Sequence, residues 1–200
     1  KFNYTINAKE VNLKQLFNYS FVKINSLSTK DLKSFNEQRV IKRINCRVFI
    51  CKKVYGFYYL PNLPEAETII CYKTGLKKVG CMTKVRGLFC ISNKVKVLQK
   101  SLPLVEILHC QDNRINFLPE DLPKAKEVNC SKNNITQLPH LPQCEVLDCS
   151  DNNIAFLPYL PKCRKIKLDN NPIIYYSCDY SKKMEIPYPS PLEKIIDDYL

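Results

Sequence analysis

From residue 46 onward, apolar and polar residues alternate over short windows, and the same window returns every 19 or 20 residues. Its most regular position, called the slot below, holds Cys51, Cys71, Cys90, Cys110, Cys130 and Cys149, with Leu168 one step later. Two residues before the slot stand Phe49, Ile69, Leu88, Leu108, Val128, Leu147 and Ile166, and five before it stand Cys46, Ala66, Val85, Val105, Ala125, Cys144 and Cys163. Alternation of this kind predicts a short strand with one face buried. Five residues after the slot another apolar row runs Leu76, Val95, Ile115, Ile135, Ile154 and Ile173, and Leu-Pro pairs starting at 63, 102, 122, 141 and 160 open the turns.

A period of about 20 residues leaves room for a strand and an extended or 3₁₀ return path, so the pattern predicts a solenoid. One unit buries about four apolar side chains, worth roughly 6 to 12 kcal/mol. Ordering its backbone costs ~1 to 2 kcal/mol per residue. A lone unit therefore does not fold, whereas stacked units share a core and a parallel sheet. Three residues after the slot come Asn93, Asn113, Asn133, Asn152 and Asn171, preceded in the first two units by Val54 and Thr74. Where the chain leaves the strand, backbone groups face inward without sheet partners, and an amide side chain carries both the donor and the acceptor they need.

The segments VEILHCQDNRI (105–115), CEVLDCSDNNI (144–154) and CRKIKLDNNPI (163–173) fit the motif LxxLxLxxNxL. In them the chain resembles the leucine-rich repeat family, and with its short period and paired Leu-Pro it is most similar to the repeats of bacterial effectors, which also occur in large viruses of amoebae. The resemblance covers about residues 46–176, in about seven units, and departs from the motif at Val54 and Thr74. It implies an α/β repeat fold, a leucine-rich repeat solenoid with a parallel β-sheet on the concave face and an extended or 3₁₀ convex side. It also implies a noncatalytic protein-binding role.

Both ends of such a core need covering. Residues 1–45 are expected to form an N-terminal cap, partly helical, with Val11, Leu13, Leu16 and Phe17 at roughly helical spacing and Ser28 with Asp31 as a capping box. Residues 177–200 are expected to end in a helix begun by Ser190 and Pro191, with Leu192, Ile195 and Ile196 on one side.

Eleven cysteines invite a disulfide, metal or nucleophile reading. The slot explains most of them. Parallel strands set equivalent side chains about 4.8 Å apart, beyond the ~3.5 to 4.5 Å Cβ separation of a disulfide. A ladder of buried, reduced thiols at Cys51, Cys71, Cys90, Cys110, Cys130 and Cys149 is expected, which points to a reducing, cytoplasmic compartment, in a host cell or a virion. There is no CxxC, histidine is confined to His109 and His140, and neither Cys81 nor Cys178 has a neighbouring histidine, so neither a metal nor a catalytic site is expected and no cofactor is implied. Four sequons, at Asn3, Asn18, Asn129 and Asn134, fall within chance in so Asn-rich a chain.

No apolar run is long enough to span a membrane, and the N-terminus lacks the apolar core of a signal peptide. Charge is uneven: the first hundred residues carry 20 Lys and Arg against 5 Asp and Glu, within a net +12 for the chain. A basic region at Lys73, Lys77, Lys78, Lys84, Arg86, Lys94 and Lys96 makes nucleic acid a possible partner, though without a base-stacking motif. Two readings rank ahead of that one. The first is a protein-interaction scaffold whose partner meets an apolar patch of Ile70, Tyr72, Phe89, Ile91, Ile107 and His109 on the sheet face. The second is a structural subunit, such as a minor capsid or virion-associated protein. If the patch is intramolecular core, the acidic stretch from Glu127 to Asp148 or the basic edge becomes the candidate surface.

Overall fold

The computed structural model describes residues 3–7, 19–26 and 44–176. These form a parallel-strand solenoid. Its sheet has nine strands in the order β1 (Asn3–Asn7), β2 (Tyr19–Ser26), β3 (Cys46–Lys52), β4 (Thr68–Tyr72), β5 (Gly87–Ile91), β6 (Ile107–His109), β7 (Glu127–Asn129), β8 (Val146–Asp148) and β10 (Lys165–Lys167). Across the coils β9 (Phe156–Leu157) pairs with β11 (Tyr175–Tyr176), single bridges at Tyr59/Lys78 and Gln137/Phe156 lie along the same seam, and a further bridge joins Ser101 to Asp121. No helix occurs among the described residues, and the return path is extended with turns. None of the described residues forms a helix long and apolar enough to cross a membrane.

The register places slot on slot: Cys51 pairs with Cys71 and Cys71 with Cys90. Every slot residue is buried, as are the rows two and five before it. The Leu-Pro pairs work as turns. Leu63, Leu102, Leu122, Leu141 and Leu160 lie in the core, and each carbonyl accepts a hydrogen bond from the residue three ahead, at 3.2 to 3.3 Å. Proline at the second position presets the φ such a turn needs.

The sheet also runs further toward the N-terminus than the expected repeat boundary at 46. Residues 3–7 and 19–26, assigned from sequence to a partly helical cap, contribute β1 and β2, with Ile24 in register with Cys51. The helices expected around 8–17, 26–38 and 190–200 lie outside the described residues, apart from Ser26, which ends β2.

The asparagine row forms a continuous ladder. Asn133 Nδ2 donates to the carbonyls of Cys110 in the preceding coil (2.9 Å) and of Cys130 (3.0 Å) and Ser131 (3.1 Å) in its own, while its Oδ1 accepts from Ile115 N–H at 2.9 Å. Asn152 and Asn171 repeat the scheme, with Oδ1 accepting from Ile135 and Ile154. So does Asn113, whose Oδ1 takes Val95 N–H. Asn93 meets the irregular unit before it by accepting from the N–H groups of Thr74, Gly75 and Leu76 and from the Thr74 hydroxyl.

One residue before each rung the backbone turns left-handed, at Lys53, Lys73, Ser92, Asp112, Lys132, Asp151 and Asn170, with φ between 50° and 56°. L-residues avoid this region. Here the strand ends and the chain must turn so that the next side chain points inward.

Candidate functional site

Strand side chains that point away from the core lie on the sheet's outer face, where register aligns them coil by coil. Ile70 pairs with Phe89 and Phe89 with His109, Tyr72 with Ile91, and Gly87 with Ile107. The six residues expected to form an apolar patch are thus brought together, but the patch is closed. Ile50, Ile70, Phe89 and Ile91 form a second hydrophobic cluster with Phe21, Val48, Tyr72 and Ile107 packed against it. Ile70 is 1% exposed, Phe89 3% and His109 2%. A partner cannot gain contact area from side chains already out of water. The expectation of an open apolar surface is replaced by that of an interior cluster, with Phe21, Val48, Tyr72 and Ile107 half-buried at its margin.

Local geometry positions the Phe89 ring. Gly87 lets the Phe89 ring lie back along its own strand, since a Cβ at Gly87 would approach Phe89 Cε2 to 3.1 Å. The ring meets the His109 imidazole edge to face at 5.2 Å between centroids. His109 Nε2 lies 2.8 Å from Glu127 Oε1. An ionised carboxylate only accepts, so Nε2 donates to it. The pair marks where the apolar half of the face gives way to the polar one.

Beyond Glu127 the face opens. Asn129 Oδ1 accepts from Ser131 N–H and Oγ–H, and one coil later Asp148 Oδ1 accepts from Ser150 N–H and Oγ–H, so the same local cap is built twice. Lys167 Nζ lies 3.8 Å from Asp148 Oδ2. Glu127, Asn129, Val146 and Ser150 are half-buried, while Lys165 and Asp169 are exposed.

Four residues before the slot a second feature runs along one edge: Arg47, Glu67, Arg86, Glu106, Lys126, Glu145 and Arg164, alternating in sign from coil to coil. Arg47 pairs with Glu67 at 3.1 Å, Glu106 with both Arg86 (2.8 Å) and Lys126 (3.2 Å), and Glu145 with Arg164. The guanidinium of Arg47 holds the Glu67 carboxyl below its usual range, and Arg86 with Lys126 does the same for Glu106.

The cysteine rows are unreactive by construction. All ten described cysteines are free, and all but the exposed Cys81 are buried. Burial pushes the thiols of Cys46 and Cys144 up to about 12 and raises those of Cys51, Cys110, Cys130 and Cys149 as well. Cys71 is raised first by its hydrogen bond with Cys90 and then by burial. Among the described residues no three His, Cys, Asp or Glu side chains converge as metal ligands would.

No family model matches the chain, and no curated protein or solved structure is significantly similar to it.

Proposed function

We propose that the chain is a noncatalytic solenoid of the leucine-rich repeat type that serves as a protein-interaction scaffold, and that its partner meets the polar half of the sheet face. The supporting observation is the contrast along that face. The apolar half is withdrawn from solvent, whereas Glu127, Asn129, Val146, Ser150, Lys165 and Asp169 stand in aligned rows with surface still accessible. Parallel strands fix these side chains on a rigid support before any partner arrives, which lowers the ordering cost of binding. Acidic, amide, hydroxyl and basic groups within three coils favour a partner of mixed polarity over a uniformly charged one.

Site-specific photocrosslinking in extract tests this reading. A photoreactive residue at Val146 or Lys165 is expected to trap one discrete protein, and the same group at Thr136 or Asn153, both exposed on the return path, is not. Equal trapping at all four positions, or none at Val146 and Lys165, overturns it.

A further inference from the structure

On the return path, away from the sheet, a cleft of about 720 Å³ is lined by Tyr59, Lys77, Lys78, Lys94, Lys96 and Arg114 together with apolar side chains and Gln99. Five cations line it and no carboxylate does. We propose that this cleft binds the phosphate backbone of a single-stranded nucleic acid, with the neighbouring Phe117 offering a ring face to its bases. The inference is independent of the role assigned to the sheet face.

The first argument is that the positive charge in the cleft is uncompensated while that along the opposite edge is compensated. Arg47, Arg86, Lys126 and Arg164 on the other edge, together with Lys84 and Lys100, each have a carboxylate within 4 Å. Among the described residues, Lys77, Lys78, Lys94, Lys96 and Arg114 have none. Lys77 and Lys78 instead lie over the rings of Tyr58 and Tyr59, at 4.3 and 5.8 Å.

Placement is the second argument. Lys94 N–H donates to Leu76 carbonyl and Arg114 N–H to Val95 carbonyl, so the two occupy the same position in consecutive coils. Lys77 and Lys96 likewise share one position, six residues after the slot. Successive coils thus present cations at intervals of about 5 Å. In the following coils these positions hold Asn116, Asn134, Thr136 and Asn153, so the basic stripe stops at Arg114. A local stripe of stacked like charges is what a polyanion neutralises.

The third argument selects the strand type. The groove continues past Val97 and Leu98 to Phe117, which is 57% exposed. A positive groove flanked by an open aromatic ring suits a single strand, because an unpaired base can stack on the ring whereas a duplex keeps its bases inside.

Fluorescence anisotropy with labelled oligo-dT and oligo-rU of about 15 nucleotides tests the proposal, alongside a duplex and polyglutamate of similar length. Single strands are expected to bind more tightly than either, with a log-log salt slope of about −2 to −3.5 for three to five phosphate contacts. Lys94→Glu with Arg114→Glu is expected to weaken binding at least about tenfold, against less than about twofold for Lys124→Glu with Lys162→Glu, which alters charge equally on the other side of the coil. Phe117→Ala should weaken it about fivefold without changing the slope. Should the first pair melt early, Lys94→Gln with Arg114→Gln takes its place and must still weaken binding more than its remote counterpart. Equal losses from the near and remote pairs would reduce the effect to net charge. Equal binding of polyglutamate would make the cleft an acidic-peptide site, and duplex preference or an inert Phe117→Ala would remove the base-stacking role. Each of these results overturns the proposal.

Discussion

Asn133 reaches across a coil boundary to Cys110, 23 residues earlier, through a 2.9 Å hydrogen bond from its side-chain amide to the Cys110 carbonyl. That contact lies inside the core, where water cannot replace it. Asn133→Ala strands the N–H of Ile115 and takes one of two amide donors from each of the carbonyls of Cys110 and Cys130, which keep Asn113 and Asn152. A buried orphan costs about 1 to 3 kcal/mol, so a loss in that range is expected from urea unfolding. Asn171, less buried and bonded partly to the exposed Asp169, should cost less. An equal loss at both positions would mean that the rungs do not work through burial.

The left-handed residue before each rung supplies a second prediction. Lys132 holds φ at 55°, a conformation that costs an L-residue about 1 to 2 kcal/mol and glycine almost nothing sterically. Glycine also gives the unfolded chain more freedom, at a cost of about 0.5 to 1 kcal/mol. Lys132→Gly should therefore be neutral to slightly stabilising, by up to about 1 kcal/mol, whereas Lys132→Val should destabilise, because β-branching suits this region least. Thermal midpoints of the two variants decide it. A stabilising Val would show that the backbone is not left-handed there.

The solenoid was legible in the sequence because each coil repeats the same burial problem, so Phe49 to Ile166 and the slot row announce themselves by period alone. The asparagines followed from backbone chemistry. β2 was not legible, because Ile24 precedes its partner Cys51 by 27 residues, outside the 19 or 20 residue step. The left-handed position was hidden by its variety: Lys53, Lys73 and Ser92 share a backbone conformation, and only Asp112, Asp151 and Asn170 carry side chains that favour it. The closure of the Phe89 cluster left no trace, since alternating apolar residues read the same whether a sheet face is bare or covered. A signal did exist for the Arg47 to Arg164 charge ladder, in the sign alternation at the repeat spacing.

That ladder can be reversed. Glu106→Lys puts three cations in a row with Arg86 and Lys126, removing two exposed pairs worth about 0.2 to 1 kcal/mol each and adding repulsion between neighbours. A loss of roughly 1 to 2 kcal/mol at low salt is expected, shrinking toward zero in ~1 M salt as the Debye length falls to about 3 Å. A loss that persists in high salt would have to arise from packing.

Buried thiols give the fold a pH limit. Folded Cys46 and Cys144 hold their protons to about 12, whereas unfolded thiols ionise near ~8.5. Above that value the unfolded chain binds fewer protons than the native one, so stability is complete below about pH 8.5 and falls as pH rises, by about 1.4 kcal/mol per unit per thiol. These two cysteines alone should remove roughly 2 to 3 kcal/mol between pH 9 and 10, and Cys144→Ala should flatten the curve. In a Cys178→Ser background, native labelling at neutral pH should modify Cys81 rapidly and the buried thiols only after denaturation. Slot cysteines that label natively would contradict their burial.

The final prediction concerns Phe89, whose ring lies beside Gly87 and meets His109 edge to face. A residue 3% exposed stabilises the fold by packing and is unavailable to a partner. Phe89→Ala should therefore cost about 3 to 5 kcal/mol, enough to lower the thermal midpoint by many degrees. Half-buried Tyr72→Ala should cost less, and Gly87→Val should destabilise by forcing the ring off its strand. Glu127→Gln gives a finer reading: its amide oxygen still accepts from His109 Nε2, but the charge is gone, so a loss of about 1 kcal/mol is expected. If Phe89→Ala left the midpoint unchanged, the outer face would be open after all, and the apolar half of the sheet would return as the partner surface in place of the polar rows from Glu127 to Asp169.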